Sequence, residues 1–272
     1  MRRIILIVVL LVGGQAAHAQ ADELPLIVGH RGLMRHAPEN TRAGFAVCIN
    51  LRLGFELDIR RSKDGALVLI HDDDVKRTTS GTGKVSSFTF AELRKLDAGA
   101  WFSPAFKDER VPTLEEAFLM LKERADILAA LDIKVEDETL AGEVVALAKK
   151  HGVLPQVMCI GLTIENPKLR AGLRAADAKT PVAVLANQRD DLAKALADKH
   201  ADWIYVRFMP TAAEVKGIHS QNKRVFLVGK LVAGNEPDAW RRAAAAGVDA
   251  LLTDYPLECR DAFRALKEPR TK

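Results

Sequence analysis

Glu56 and Asp58 stand two residues apart in Phe55–Ile59, a run that is otherwise apolar. In a strand, side chains alternate sides, so both carboxylates face the same way. Two acids on one face repel each other, and burying either without a counter-charge is costly. Asp132 and Lys134 repeat the spacing at the end of the run Ile127–Ile133. Three carboxylates brought to one place suit a hard divalent cation, Ca²⁺ or Mg²⁺, completed by water and substrate. Zinc fits poorly, because no Cys or paired-His spacing accompanies the acids. For any one acid alone, a salt bridge to Arg60, Arg61 or Lys134 is the plainer reading.

His30 ends the run starting at Leu26 and is followed by Arg31 and Gly32, while His71 closes Leu67–Ile70 and precedes Asp72. Two imidazoles with ordinary pKa values near 6.5 can act as general base and general acid around neutral pH. The Arg31 guanidinium offers a planar fork matched to phosphate oxygens. His36, His151, His200 and His219 lack such company and read as surface or capping residues. Ala37-Pro38-Glu39-Asn40-Thr41 reads locally as a turn into a helix, with Asn40 or Thr41 as N-cap.

A scaffold must bring these groups together. Nine strand-like runs occur: Leu26–Val28, Phe55–Ile59, Leu67–Ile70, Ile127–Ile133, Gln156–Ile160, Val182–Leu185, Trp203–Val206, Val225–Val228 and Ala250–Leu252. Helical patterns lie between them, among them Thr41–Leu51, Leu114–Arg124, Leu140–His151, Asp190–His200 and Pro237–Ala246. Thr113 with Glu116 three residues on predicts a capping box at one helix start. This alternation predicts α/β architecture with a parallel sheet. The seven residues Arg60 to Ala66 are too few for a parallel crossover, and Lys63-Asp64-Gly65 is turn chemistry, so the third run should fold back antiparallel. Eight strands then remain for a (β/α)₈ TIM barrel, whose usual size is about 250 residues. Residues 72–112 have no strong period and contain Gly81, Gly83 and Gly99, which predicts an insertion rising above the barrel as a lid or wall. The C-terminal strand ends of such a barrel converge on one mouth, where its active sites are found.

The start of the chain reads as an address. Arg2 and Arg3 precede the apolar run Ile4–Val12, and Ala17-His18-Ala19 supplies a signal-peptidase site, so residues 1–19 are expected to be a cleaved signal peptide and residues 20–272 one domain. The run is too short to span a bilayer, so stable membrane insertion after cleavage is not expected. The protein is expected to be exported, periplasmic or secreted. Of 272 residues, 48% are hydrophobic and 28% charged, which excludes a disordered or fibrous chain. Without Arg2 and Arg3 the balance is 38 basic against 36 acidic residues, which gives no case for nucleic acid as a partner. Cys48, Cys159 and Cys259 are odd in number and far apart, and read as buried free thiols.

Several motifs recur in one order: His30-Arg31-Gly32, Pro38-Glu39-Asn40-Thr41, Glu56-Leu57-Asp58, Lys63-Asp64-Gly65, His71-Asp72 with Arg77-Thr78-Thr79, Leu96-Asp97-Ala98-Gly99, Val111 to Glu116, Gly247-Val248-Asp249 and Thr253-Asp254-Tyr255-Pro256. This series resembles the glycerophosphodiester phosphodiesterase family. The resemblance implies a TIM barrel that hydrolyses glycerophosphodiesters to glycerol 3-phosphate and an alcohol, using one divalent cation. It implies His30 and His71 as the catalytic pair, Glu56 and Asp58 as metal ligands with Asp132 as the third, and Arg31 and Lys134 as phosphate contacts. Two departures stand out. Asp132 lies where the family usually has Glu, and Phe226-Leu227-Val228-Gly229 replaces the common Trp-Thr-Val-Asn. Rival readings are a barrel phosphodiesterase of lysophospholipase D type, with Phe88, Trp101, Phe102 and Phe106 as an apolar rim, a non-catalytic phosphoester-binding protein, or an unrelated barrel isomerase. The leaving alcohol, the native metal and the oligomeric state are left open by the sequence.

Overall fold

The computed structural model describes residues 24–137 and 139–267. The segment read as an export signal lies outside these residues. Nine strands form one sheet: β1 Leu26–Gly29, β2 Gly54–Arg61, β3 Leu67–Leu69, β4 Ala129–Ile133, β5 Val157–Gly161, β6 Ala183–Ala186, β7 Trp203–Val206, β8 Arg224–Leu227 and β9 Ala250–Thr253. Eight of them run in the order β5-β4-β2-β1-β9-β8-β7-β6, and all the pairings along that path are parallel. A parallel bridge between Cys159 and Val182 joins β5 to β6, so the sheet forms a nearly closed barrel. β3 stands off this path and pairs antiparallel with β2, as the short connection predicts. Its turn is closed by Gly65 N–H donating to the Ser62 carbonyl at 3.1 Å.

The strand period of two sorts the side chains. On β2, Phe55, Leu57 and Ile59 face outward into the layer beneath the helices, and Ala129, Leu131 and Ile133 do the same on β4. The inner face packs Val28, Ala130, Met158, Ile160, Ala183, Trp203, Phe226 and Ala250 into the barrel. The inward positions that follow these on β1, β4 and β9 are His30, Asp132 and Asp254. Apolar filling thus gives way to polar groups at the C-terminal end.

The helix Leu114–Leu121 starts at the expected capping box, with Thr113 accepting from Glu116 N–H and Glu116 bonding back. One helical expectation shortens. In place of Asp190–His200 the helix covers Leu192–Leu196, and Asp198 beyond it binds Arg170 at 2.6 Å and the His200 N–H at 2.9 Å. Those bonds hold the backbone in a loop. The segment after β3 packs Ile70, Val75, Val85, Leu93, Ala98 and Val111 with Val68 of β3 into a small separate core. Its Leu96-Asp97-Ala98-Gly99 stretch is a folding device: Asp97 accepts from the backbone N–H groups of Gly99, Ala100 and Asp108 at 2.7–2.8 Å. Phe102 meets Trp101 and Phe106 edge-on, with Trp101 exposed. All three cysteines are free and buried, and burial pushes the Cys48 and Cys159 thiols up to about 12. No helix among the described residues is long and apolar enough to cross a membrane.

Leu131 is fully buried between β4 and the helices. Leu131→Ala is expected to cost about 2–5 kcal/mol in urea unfolding. A loss under about 1 kcal/mol would show that this layer is not close-packed.

Candidate active site

Glu56 and Asp58 are buried, at 1% and 0% exposure, and Asp132 lies beside them on β4, in register with Asp58. Each offers a carboxylate oxygen within 4.8 Å of the other two. Arg60 and Arg61 do not neutralise them. Arg60 donates to the His71 carbonyl at 2.8 Å, and Arg61 pairs with Asp137 and Glu143. The nearby cations are Lys134, 2.7 Å from Asp132 and 3.1 Å from Asp58, and Arg31, whose Nε lies 3.7 Å from Asp58.

The chain holds each acid in a particular way. The Arg31 backbone N–H donates to Glu56 at 2.8 Å, with Arg31 itself in the left-handed region at φ 53°. Asn40, also left-handed at φ 54°, donates from its amide to the Asp58 carboxylate at 2.7 Å and accepts from the Asp58 N–H at 3.0 Å. Thr41, not Asn40, is the helix cap, accepting from Gly44 N–H. Asp132 rests over Gly161, where any Cβ would lie 2.0 Å from its Oδ1. Burial, then the neighbouring Asp58 and Asp132, raise the Glu56 carboxyl well above the usual range. Burial also raises Asp132, against the pull of Lys134. Asp132 Oδ1 is buried with no hydrogen-bond partner. An orphaned carboxylate oxygen beside two further buried carboxylates fits an oxygen-liganded divalent cation.

Both sequence-predicted histidines are braced by acids. His30 Nδ1 lies 2.7 Å from Asp254 Oδ1, at the end of β9. His71 Nδ1 lies 2.8 Å from Asp72 Oδ1. Each ring therefore keeps Nε2 available for a reacting group. A second network ties the insertion to the barrel. Buried Glu39 bonds Arg31 at 3.0 Å and Arg77 at 2.8 Å, and Arg77 reaches on to Asp72 at 2.7 Å. Burial opposes ionisation of Glu39, but its bonds to Arg77 and Arg31 hold its carboxyl below the usual range. Arg77, foremost, likewise lowers Asp72. Across the barrel, burial pushes the Tyr205 phenol up to about 12, with the charges of Asp132 and Glu56 adding to the effect.

Sequence reasoning gave Glu39, Asn40, Asp72, Arg77 and Asp254 no role at the site, although each lies in a motif of the family-like series. His151 and His219 have carboxylate partners elsewhere, Glu115 at 2.9 Å and Asp249 at 2.8 Å.

A barrel mouth with three converging carboxylates, two carboxylate-braced imidazoles and a guanidinium defines a phosphoester-handling enzyme of the TIM-barrel class. Residues 30–258 match the glycerophosphoryl diester phosphodiesterase family. The chain is 32% identical over 235 residues to Bacillus subtilis YhdW, covering 85% of this chain and 94% of that protein. It is 26% identical over 260 residues to a B. subtilis glycerophosphodiester phosphodiesterase, covering 89% and 86% of the two chains. The structure of a glycerophosphodiester phosphodiesterase from Agrobacterium tumefaciens aligns with a TM-score of 0.74 at 27% identity, over 89% of this chain and 100% of that one. An Oleispira antarctica phosphodiesterase, crystallised with the product sn-glycerol-3-phosphate, shares the fold at TM-score 0.71 and 24% identity, over 89% and 97% of the chains. The chain belongs to the glycerophosphoryl diester phosphodiesterase family and is a phosphoric diester hydrolase.

The raised carboxyls set a pH dependence. An acid whose folded pKa lies above its unfolded value favours folding at low pH, and that contribution fades as pH rises through the interval between the two values. A cation bound at this cluster would have to displace the protons that the raised Glu56 and Asp132 carboxyls retain. Ca²⁺ or Mg²⁺ should therefore raise Tm over the chelated protein, and by more at pH 8 than at pH 5.5; saturation at 100 times Kd corresponds to about 2.7 kcal/mol. An equal or reversed pH trend in scanning calorimetry counts against this assignment. Gly161→Ala should displace Asp132 and weaken cation affinity by about 10–100-fold, read from the midpoint of the same Tm rise. An unchanged midpoint contradicts it.

Proposed function

We propose that this protein hydrolyses glycerophosphodiesters to glycerol 3-phosphate and an alcohol, with one divalent cation and two histidines. The observation that carries the reading is the convergence of Glu56, Asp58 and Asp132 within 4.8 Å beside an unsatisfied buried oxygen of Asp132. The names carried by the relatives support the substrate class.

Glu56, Asp58 and Asp132 would hold the cation. When bound, Ca²⁺ or Mg²⁺ supplies charge neutralisation for a non-bridging phosphate oxygen. Arg31 and Lys134 clamp the other oxygens. Lys134 turns toward Asp132 and Asp58 at 2.7 and 3.1 Å, leaving a third donor for phosphate. One imidazole accepts the proton of the glycerol hydroxyl next to the ester, and that oxygen bonds to phosphorus. The bond from phosphorus to the alcohol breaks, and the second imidazole, protonated at Nε2, gives the alcohol its proton. Water then opens the cyclic phosphate with the two imidazoles exchanging roles. Asp254 and Asp72 keep each ring oriented.

The stretch from Arg2 to Ala19 supports export to the periplasm or beyond, where this reaction would act on diesters outside the cytoplasm. No disulfide is needed there, since the thiols are buried and unpaired.

With the cation saturating, His30→Ala and His71→Ala should each lower kcat by about 10²–10⁴ in a glycerol 3-phosphate release assay. Chelator should abolish release, and added Ca²⁺ or Mg²⁺ should restore it. Near-wild-type turnover by either variant, or indifference to chelator, overturns the corresponding part.

A further inference from the structure

Glycerophosphodiesters share their glycerol half and differ in the alcohol, so the rest of the mouth decides which alcohols fit. Trp203 lies in the barrel interior, Tyr205 packs against that interior cluster, and Arg207 is the next position of the same inward column, just past the end of β7. The Tyr205 ring meets Phe226 edge-on at 5.7 Å. Arg207 therefore stands at the rim on the wall opposite β2 and β4, which carry the three acids.

The Arg207 side chain is exposed. Its guanidinium lies 5.6 Å from the Tyr205 ring centroid and donates to the Asn187 side-chain oxygen at 3.4 Å. Among the described residues no carboxylate pairs with it. Its neighbour Arg189 differs, being neutralised by Glu214. Gly229, at φ +90°, lies beside the Arg207 stem, which a Cβ there would touch at 3.8–3.9 Å. The next residue, Lys230, is exposed and also lacks an ion pair among the described residues. Arg207 and Lys230 thus form a cationic corner with no ion pair among the described residues.

Resting on the function proposed above, we propose that Arg207, steadied by Asn187 and Tyr205, forms a subsite for an anionic group on the leaving alcohol. The glycerol half bears no charge, so an anion reaching this corner must belong to the other ester arm. A guanidinium held by an amide and an aromatic face, with no acid of its own, is suited to a carboxylate or a second phosphate.

The test uses two substrates differing by one carboxylate, sn-glycero-3-phosphoserine and sn-glycero-3-phosphoethanolamine, with cation saturating. The full enzyme should favour the serine diester in kcat/KM by about tenfold, the worth of one charge-assisted hydrogen bond. Arg207→Gln should bring that ratio to about one, and Arg207→Lys should keep part of it. A wild-type ratio near one overturns the subsite while leaving the proposed function standing. So does an Arg207→Gln enzyme that loses equally on both diesters, because the guanidinium then serves the shared part of the substrate. If the wild-type enzyme releases glycerol 3-phosphate from neither, the proposed function fails and the subsite with it.

Discussion

The site rests on the burial of negative charge. Glu56 and Asp58 are buried and Asp132 is half-buried beside them, at positions a barrel would ordinarily fill with apolar side chains. Leaving three acids there costs free energy unless their charge is answered, and much of the surrounding chain answers it. Arg31 gives a backbone N–H to Glu56, Asn40 grips Asp58 at two points, and Lys134 reaches Asp132 and Asp58. Arg31 and Asn40 both accept left-handed backbone to do so, the kind of local strain that persists where surrounding structure enforces it. What protein groups leave unanswered, a divalent ion can supply.

The insertion is bound into the same electrostatic system. Glu39, from the loop after β1, is shared between Arg31 at the barrel mouth and Arg77 in the insertion, and Arg77 continues to the acid that braces His71. The Arg31 guanidinium and the His71 imidazole are thus joined through three side chains, Glu39, Arg77 and Asp72, with no break. Five apolar residues of the insertion, packed with Val68 and Ile70, give this linkage a defined geometry.

The nine strands were legible because each is a short apolar run, and the antiparallel return of β3 followed from a connection too short to cross over. The acids were legible from their spacing of two, since alternation in a strand leaves no choice of face. Asn40 was not, because a left-handed asparagine before a helix looks like a cap, and its true partner is 18 residues away. Asp254 was hidden for the same reason on a larger scale: its partner His30 is 224 residues distant, and pairing at that range depends on how the sheet closes. The shortened helix at Leu192–Leu196 shows the converse, where a tertiary ion pair to Arg170 overrode a helical pattern.

The pairing of β1 with β9 brings the first strand against the last. During synthesis, His30 leaves the ribosome long before the acid that orients it has been made. The three carboxylates have all been made by Asp132, whereas the His30 ring has no Asp254 beside it until far later in synthesis. The order of the barrel thus makes the His30–Asp254 contact one that forms only after the last of its nine strands has been made.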